Sequence, residues 1–396
     1  MLGACRAVDH FSAMPVKRVL LRWPSPAVTF MPRRNPLSMT DYDLLLIGAG
    51  PAHLGVLRRW ALIERPAGRI AVLAASAQAW HAGLLPGLVA GRYSAADCQI
   101  ELATLCHKAQ VELIVAPVAQ FSADQRQVTL ADGRELHGNW LSLSAGDRLA
   151  CPPQQGDDMQ ILAIKPVNDF IAGWQAWQQA PQPLAILGGG VAGVEMALAL
   201  AGQVPQISLF CGEPLLAGHA PGLRMRAWGH LRMRRVQVRE HCPISAIEGD
   251  CLVSGEATVW RGERLLLASG ARALRWIAES GLGCDMDGFV QTSTTLQSLS
   301  HPQVFATGDC ASLPGVRKSG LYSLQQAPVL AANLAAALRG GALRDYRSRG
   351  QRPLLLACGD GSALLGWRQW SAGGQFYGRC KDYFDRAFVK RHSLDG

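Results

Sequence analysis

The feature that most constrains this chain is a pattern that occurs twice: a short apolar run, a glycine-rich turn and a helical stretch. The first copy covers residues 43–62, with its turn GAGPAH at 48–53. The second covers residues 183–200, with a complete GxGxxG turn at 188–193. A short apolar run is typical of a strand buried on both faces, and a glycine turn between strand and helix is typical of a dinucleotide-binding unit. Two copies predict an α/β fold with two Rossmann-like dinucleotide-binding domains.

The first turn matches a dinucleotide site at its first two positions and departs from it at the third. Gly48 allows the tight turn, and Gly50 lets the backbone approach a pyrophosphate at the N-terminus of the following helix. His53 stands where a third glycine is usual, and the next strand, 69–73, is followed by 74–76 (AAS) instead of the acid that normally binds a ribose. The predicted binding residues of this turn are Gly48, Gly50, Pro51, Ala52 and His53.

The second turn predicts a nicotinamide nucleotide site with Gly188, Gly190, Gly193 and Glu195 as binding residues. Glu195 occupies a position where many nicotinamide-binding domains carry an acid. The strand that follows ends in 211–213 (CGE), with no acid at its tip and no arginine directly after it. Because a 2′-phosphate site needs a nearby arginine, the sequence favours NADH slightly and leaves NADPH open.

A third motif predicts a flavin. The apolar run 304–306 is followed by Gly308 and Asp309 and then by a helical stretch. In flavoproteins that bind two nucleotides, an aspartate at this place bonds the ribityl chain of FAD, so we expect Gly308 and Asp309 to belong to the FAD site. The chain is therefore predicted to bind FAD at its N-terminal end and NAD(P)H in its middle, and to transfer hydride equivalents between them.

These motifs, in this order, resemble the pyridine nucleotide-dependent flavoproteins related to type II NADH dehydrogenases. Three connecting segments are similar to one branch of that family, which is found fused to, or beside, selenide, water dikinase: 82–91 (AGLLPGLVAG), 318–330 and 381–386 (KDYFDR). That branch also tends to carry a histidine at the position of His53. The kinase half is not in this chain, so any link to selenium metabolism is by analogy.

The resemblance implies a discontinuous FAD domain, residues 41–152 and 285–335, around an NAD(P) domain at 153–284. Residues 336–396 would form a cap, an interface or a membrane-associating region, and residues 1–40 a disordered or mis-assigned extension. It also implies a flavin-side loop and two crossover turns between the domains, which add four binding residues to the expected set: Leu85, Pro86 and Gly146 for FAD, and Gly270 for NAD(P).

The candidate catalytic residues lie around the start of the helix after Asp309. Lys318 is a candidate charged group beside the flavin, and a solvated surface lysine is an equally good interpretation. In type II NADH dehydrogenases a glutamine-containing quinone motif occurs here; Gln325 and Gln326 match its later glutamine, whereas Leu321 stands at the earlier one. A quinone acceptor is therefore left open, and both glutamines could equally be surface amides.

Two alternatives to a NAD(P)H dehydrogenase stay open. A sulfide:quinone-type enzyme needs two cysteines at the flavin, for which Cys151 and Cys358 are candidates among eleven cysteines. The second is a flavin-binding partner or sensor without turnover. Disulfide reductases are excluded, because no thiol pair accompanies the glycine turns.

Composition limits the partners. Of the net charge of +9, residues 1–40 contribute +5, and no nucleic-acid-binding motif or metal-ligand spacing occurs, so neither nucleic acid nor metal is predicted. Residues 379–391 form an apolar stripe with basic flanks, which fits packing against this chain or a homodimer partner slightly better than an anionic membrane surface. We expect a cytoplasmic protein, with peripheral contact at the cytoplasmic membrane face as the alternative.

Overall fold

The computed structural model describes residues 40–63, 65–316, 320–348, 350 and 352–394. The extension 1–40 lies outside these residues except for Thr40. The described residues form a mixed α/β fold whose two largest sheets are built mainly of parallel strands, which confirms the predicted fold class. In this part of the chain none of the helices combines the length and apolarity needed to cross a membrane.

The strands are short and follow the chain in this order: β1 (Thr40–Ile47), β2 (Ile70–Ala74), β3 (Gln78–Trp80), β4 (Gln99–Glu101), β5 (Glu112–Val115), β6 (Val118–Ser122), β7 (Gln127–Leu130), β8 (Glu135–Leu143), β9 (Arg148–Leu149), β10 (Gln154–Gln155), β11 (Gln160–Ala163), β12 (Leu184–Leu187), β13 (Ile207–Phe210), β14 (Gln237–Arg239), β15 (Ala246–Glu248), β16 (Cys251–Ser254), β17 (Ala257–Arg261), β18 (Arg264–Leu267), β19 (Ala271–Arg272), β20 (Val290–Gln291), β21 (Val304–Ala306), β22 (Ala311–Ser312), β23 (Leu354–Ala357), β24 (Ala363–Trp367) and β25 (Trp370–Gly374).

The α-helices alternate with these strands: α1 (Pro51–Leu62), α2 (Leu85–Val89), α3 (Ala95–Cys98), α4 (Leu102–Lys108), α5 (Val167–Gln178), α6 (Val191–Leu200), α7 (Pro221–Met233), α8 (Arg275–Ala278), α9 (Gly320–Arg339) and α10 (Gln375–Ser393). Two 3₁₀ turns complete the set, at Ala82–Leu84 and Gly308–Cys310.

The first large sheet carries the first glycine turn. Its strands are ordered β5–β2–β1–β8–β7–β6, and β21 also pairs with β8 in parallel. Side chains alternate across β1: Leu44 and Leu46 pack in a core with α1, α4 and α9, whereas Leu45 and Ile47 pack in the core on the opposite face. Both faces are covered, which is why this strand is a continuous apolar run.

The second large sheet carries the second glycine turn and is parallel throughout, in the order β11–β18–β12–β13–β14. Leu184 and Ile186 of β12 face helices α5, α6 and α7, and Ala185 and Leu187 face the smaller sheet β10–β15–β16–β17. The domain boundaries drawn from the sequence stay predictions, although β21 joins the first sheet from far along the chain.

The C-terminal region is a three-stranded antiparallel sheet, β23–β24–β25, followed by α10. Phe388, in the apolar stripe predicted here, packs in the core of the first sheet and its ring stacks on His81 with the centroids 4.5 Å apart. Tyr383 and Phe384 of the same stripe are instead 65% and 62% exposed. The helix therefore uses one side of its stripe for packing and leaves the other side uncovered.

Candidate functional site

The first glycine turn is held tightly against the segment that follows β8. The Gly48 N–H donates to the Leu73 carbonyl at 2.8 Å, and the Gly50 N–H donates to the Ser144 carbonyl at 2.8 Å. A Cβ at Gly48 or Gly50 would lie 2.5 Å from the Ser144 carbonyl oxygen, and Gly48 has a φ of +92°. Both positions therefore need glycine for backbone reasons, as the sequence pattern predicts.

Helix α1 begins directly after this turn, with Pro51 at its first position and Gly50 as its cap. Gly50 has no side chain, so the N–H groups of the first helical turn depend on other partners. The Ala52 N–H donates to the Ser323 hydroxyl at 3.2 Å, which connects the turn to α9. The predicted binding residues Pro51 and Ala52 thus lie at a helix N-terminus suited to phosphate.

His53 replaces the third glycine and is completely buried. Its Nδ1 lies 2.6 Å from the Gly48 carbonyl oxygen and its Nε2 lies 2.8 Å from the Ser142 hydroxyl. Burial lowers the pKa of His53 to about 4, so the ring is neutral at pH 7. Because a carbonyl only accepts, Nδ1 carries the proton and the Ser142 hydroxyl donates to Nε2. The histidine that departs from the pattern thereby fixes the turn.

The aspartate turn lies beside α9. Gly308 has a φ of +71°, and its N–H donates to the Gln326 Oε1 at 2.9 Å. The Asp309 Oδ2 lies 3.4 Å from the Lys165 Nζ, whereas the Asp309 Oδ1 is buried and has no hydrogen-bond partner among the described residues. Since a buried acceptor without a partner is costly, it marks a place for a donor from a ligand. A ribityl hydroxyl of FAD is a donor of the required kind.

The second glycine turn is equally compact but has an open centre. Gly188 has a φ of +135°, and a Cβ there would lie 2.7 Å from the Ala268 carbonyl oxygen. A Cβ at Gly193 would overlap the Gly188 carbonyl oxygen. At Gly190, directly before α6, a Cβ would meet no described atom within 4 Å. The turn can therefore admit a pyrophosphate at Gly190, where helix and glycine pattern predict it.

Glu195 has a partner that the sequence did not predict. Its carboxylate is buried in α6 and accepts the N–H of Ala357 in β23 at 2.8 Å. Burial raises the pKa of Glu195, and the charge of Lys381 opposes that effect. The expected contact with the nicotinamide nucleotide stays a prediction, and in this structure the carboxylate ties α6 to the C-terminal sheet.

The crossover turns contain Gly146 and Gly270, both with positive φ, of +78° and +71°. The chain segments that follow each of them pair as the antiparallel strands β9 and β19. A Cβ at Gly146 would meet no described atom within 4 Å, while one at Gly270 would lie 2.9 Å from the Cβ of Ala150. Gly270 is thus needed for the close approach of the two crossing segments, and Gly146 leaves open space beside Asp147.

Two segments that carry the family resemblance contact each other. Leu85 and Pro86 are buried at the start of α2, and Leu85 packs in the same core as α6. From α10, the Lys381 Nζ donates to the Gly83 carbonyl at 2.8 Å, and the Asp385 Oδ1 lies 2.8 Å from the His81 Nε2. Two residues of the KDYFDR segment therefore hold the start of the predicted flavin-side loop (82–91) in place.

The two candidate glutamines, Gln325 and Gln326, differ in their hydrogen bonds. Gln326 is buried and engaged with the Gly308 N–H. The Gln325 amide has both Nε2 and Oε1 buried, and neither has a hydrogen-bond partner among the described residues. Gln325 is therefore the glutamine whose whole amide is left for a ligand within the described residues, and Lys318 lies outside them.

Lys165 is a charged residue beside this site that the sequence analysis missed. Its Nζ lies 2.5 Å from the Asp147 Oδ1 and 3.4 Å from the Asp309 Oδ2. One signal could have found it: Lys165 stands just beyond the carboxyl end of the parallel strand β11, where α/β sheets bind ligands.

The two cysteines of the sulfide alternative are both protonated thiols at neutral pH. Cys151 is exposed and Cys358 is buried. Burial raises the pKa of Cys358 to about 12, and partial loss of hydration raises the pKa of Cys151, although its side chain still reaches solvent. Because the thiolate is the reactive form, neither environment activates a cysteine.

Two glycine turns on parallel sheets, each followed by a helix, and an aspartate oxygen without a partner among the described residues are features typical of a flavoprotein that binds two dinucleotides. A family model described as pyridine nucleotide-disulphide oxidoreductase matches residues 42–336. The chain belongs to this family. Membership of this family agrees with the predicted cofactor FAD, and the names of its relatives agree with the predicted use of a nicotinamide nucleotide.

Individual relatives are distant. The nitric oxide reductase FlRd-NAD(+) reductase of Vibrio vulnificus is 27% identical over 222 residues, which cover 54% of this chain and 56% of that protein. The chain thus spans little more than half the length of this relative. A NADH dehydrogenase-like protein of Mycobacterium tuberculosis is 25% identical over 301 residues, 68% of this chain and 72% of the relative. The solved sulfide:quinone oxidoreductase of Aquifex aeolicus shares the fold, with a TM-score of 0.74, 17% identity and coverage of 89% and 91%.

Proposed function

We propose that this chain oxidises NAD(P)H, with NADH favoured, and passes the electrons by way of FAD to a small quinone-like acceptor. The observation that carries the acceptor is the Gln325 amide near the start of α9, which is buried and has no hydrogen-bond partner in the part of the chain that the structure describes. A buried primary amide can donate one hydrogen bond and accept another, so it suits a ligand with a polar carbonyl edge. FAD supplies the redox chemistry when bound.

The chain's own residues bind and orient the two nucleotides. Gly50 and the N-terminus of α1 face one pyrophosphate, and Gly190 and the N-terminus of α6 face the other. Asp309 offers a buried acceptor to the sugar-alcohol chain of FAD. Because hydride transfer needs little acid–base help, placing the nucleotides is most of the task.

An anaerobic absorbance experiment tests the proposal. The purified protein should show flavin bands that bleach with NADH, less readily with NADPH, and return when a water-soluble quinone is added. Gln325→Leu should bleach at an unchanged rate but reoxidise with quinone more slowly, because only the acceptor step loses its amide. Gln178→Leu, at an exposed glutamine of α5, is the matched control.

Each other outcome of that experiment favours a different function. Bands that never bleach favour a non-catalytic flavin-binding partner. The resemblance to the branch associated with selenide, water dikinase would then suggest a partner in selenium metabolism. Bands that bleach only with sulfide favour the sulfide:quinone type, although the protonated thiols of Cys151 and Cys358 speak against it. If NADH bleaches the bands and quinone does not restore them, the protein oxidises NADH but its acceptor is not a quinone.

The uncovered side of α10 is the surface for which a partner is proposed. Tyr383 and Phe384 are exposed there, and Lys390 and Arg391 follow on the same helix. A peripheral contact with the cytoplasmic membrane face and a homodimer contact are the two alternatives. Vesicle flotation and light scattering of Phe384→Ser beside the unmodified chain separate them, since only one of the two readouts should change.

A further inference from the structure

The Lys165 ammonium group joins two regions that are far apart in the chain. Lys165 lies between β11 of the second large sheet and α5, Asp147 follows β8 of the first, and Asp309 belongs to the aspartate turn. Nζ lies 2.5 Å from the Asp147 Oδ1 and 3.4 Å from the Asp309 Oδ2. One cation therefore serves two carboxylates at the place where the chain crosses between the sheets.

These three groups are largely withdrawn from water. The side chains of Asp147, Asp309 and Lys165 are 6%, 24% and 33% exposed. Burial raises the pKa of Asp147, and the charge of Lys165 opposes the effect. Burial alone would lower the pKa of Lys165, but the two carboxylates raise it. Without the lysine, two carboxylates would share a poorly solvated site, which is unfavourable while both are charged.

The two oxygens of Asp309 are used differently. Oδ2 faces Lys165, and Oδ1 is buried without a partner among the described residues. The neighbouring backbone is fixed as well, since the Gly308 N–H donates to Gln326. A carboxylate that is anchored through one oxygen presents the other in a defined direction, which reduces the entropy lost when a ligand binds.

We propose that Lys165 is a positioning residue of the FAD site: it anchors Asp309 through Oδ2, so that Oδ1 accepts a hydrogen bond from the sugar-alcohol chain of FAD, and it neutralises Asp147 beside it. This inference rests on Asp309 as a ligand of FAD. It gives a residue of the predicted NAD(P) domain an indirect part in holding the flavin, through Asp309.

The test is the rate of FAD release from the purified holoprotein, followed by the rise in flavin fluorescence on dilution at pH 6 and pH 8. Lys165→Met should release FAD about tenfold faster or more at pH 8, because charged hydrogen bonds of this kind contribute at least that much. The same variant should release FAD more slowly at pH 6 than at pH 8, because protonation of one of the two carboxylates relieves their mutual repulsion. The unmodified protein should show no such difference.

Two variants separate positioning from general packing. Lys165→Arg should release FAD nearly as slowly as the unmodified protein, since it keeps the charge. Lys165→Met/Asp147→Asn should recover most of the retention, because the double variant removes the second carboxylate. A packing role predicts neither the pH dependence nor the recovery. Arg224→Met, which breaks the 2.7 Å pair with Glu240 elsewhere, is the matched control and should not change release.

Asp309→Ala distinguishes the two possible failures. If it speeds FAD release while Lys165→Met does not, the proposal for Lys165 is wrong and the FAD assignment stands. If neither variant changes release, Asp309 is not a ligand of FAD, and the proposal falls with it. Faster release from Lys165→Met that is equal at both pH values, and not recovered by Asp147→Asn, also overturns the positioning role.

Discussion

The two glycine turns start from nearly the same sequence and solve the same packing problem in opposite ways. Each follows a buried parallel strand and precedes a helix. In the second turn, Gly193 brings α6 so close to the turn that a Cβ would overlap the Gly188 carbonyl oxygen. In the first, His53 occupies the corresponding position, and its ring accepts and donates hydrogen bonds between Gly48 and Ser142.

The difference shows that the third position does not require glycine as such. What it requires is that the carbonyl of the first glycine be accommodated, either by leaving space for it or by giving it a donor. His53 supplies the donor, and the buried Ser142 hydroxyl completes the pairing of the ring. A buried polar side chain with all its partners is compatible with a tight site.

Exchanging the two residues is the sharpest test of this comparison, and Gly193→His should have the larger effect. Its Cβ would overlap backbone that cannot move, and the ring would find no site prepared for it. We expect a loss of more than about 3 kcal/mol in the free energy of unfolding, with loss of NADH-dependent flavin bleaching. Urea denaturation and the anaerobic spectrum measure the two effects.

Gly190→Ala is the matched control for that variant. A Cβ at Gly190 meets no described atom within 4 Å, and its backbone, with φ −80°, is accessible to alanine. Stability should therefore change by less than about 0.5 kcal/mol, while the KM for NADH rises. Equal destabilisation by both variants would contradict the assignment of Gly190 to the open centre of the turn.

The reverse exchange, His53→Gly, should also destabilise although it restores the usual glycine pattern. It leaves the Gly48 carbonyl and the Ser142 hydroxyl without their partner and opens a cavity, for a loss of about 2–3 kcal/mol. Ser142→Ala removes one of the two hydrogen bonds and should cost about 1 kcal/mol. A His53→Gly protein as stable as the unmodified one would show that the turn needs only space.

The fold could be predicted because its strongest signals are local. Gly48 and Gly188 need positive φ directly after buried strands, and that requirement is visible within a few residues. The predicted α/β class with two nucleotide units is confirmed on this basis. The same holds for those parts of the candidate site that lie within a single glycine turn, because the turn's own residues determine its backbone geometry.

The rest of the site depends on contacts between distant segments. Lys165 and Asp309 are 144 positions apart, Glu195 and Ala357 are 162 apart, and His81 and Asp385 are 304 apart. No periodicity or spacing indicates such pairs, because they form only when whole elements dock. His53 is an intermediate case. The sequence shows that it replaces the usual glycine, but it does not show that the ring bonds to Gly48 and Ser142.

The smallest expected effect is a dependence of stability on pH that arises from the first turn and has no counterpart in the second. Burial lowers the pKa of His53 to about 4, from about 6.5 in an unfolded chain. Between these values the unfolded state binds more protons, so stability falls as the pH is lowered. At pH 5.5 the loss from this group is about 1 kcal/mol relative to pH 7.5.

Urea denaturation at pH 7.5 and 5.5, in excess FAD, measures this effect as the difference between the unmodified protein and His53→Gly. The drop in stability on acidification should be smaller by about 1 kcal/mol in the variant. His392, whose pKa is also lowered to about 4 by burial, continues to contribute, and His392→Asn should remove its share independently. If His53→Gly leaves the pH dependence unchanged, the ring titrates in the folded protein as it does in the unfolded chain, and the assignment of Nε2 as an acceptor from the Ser142 hydroxyl is wrong.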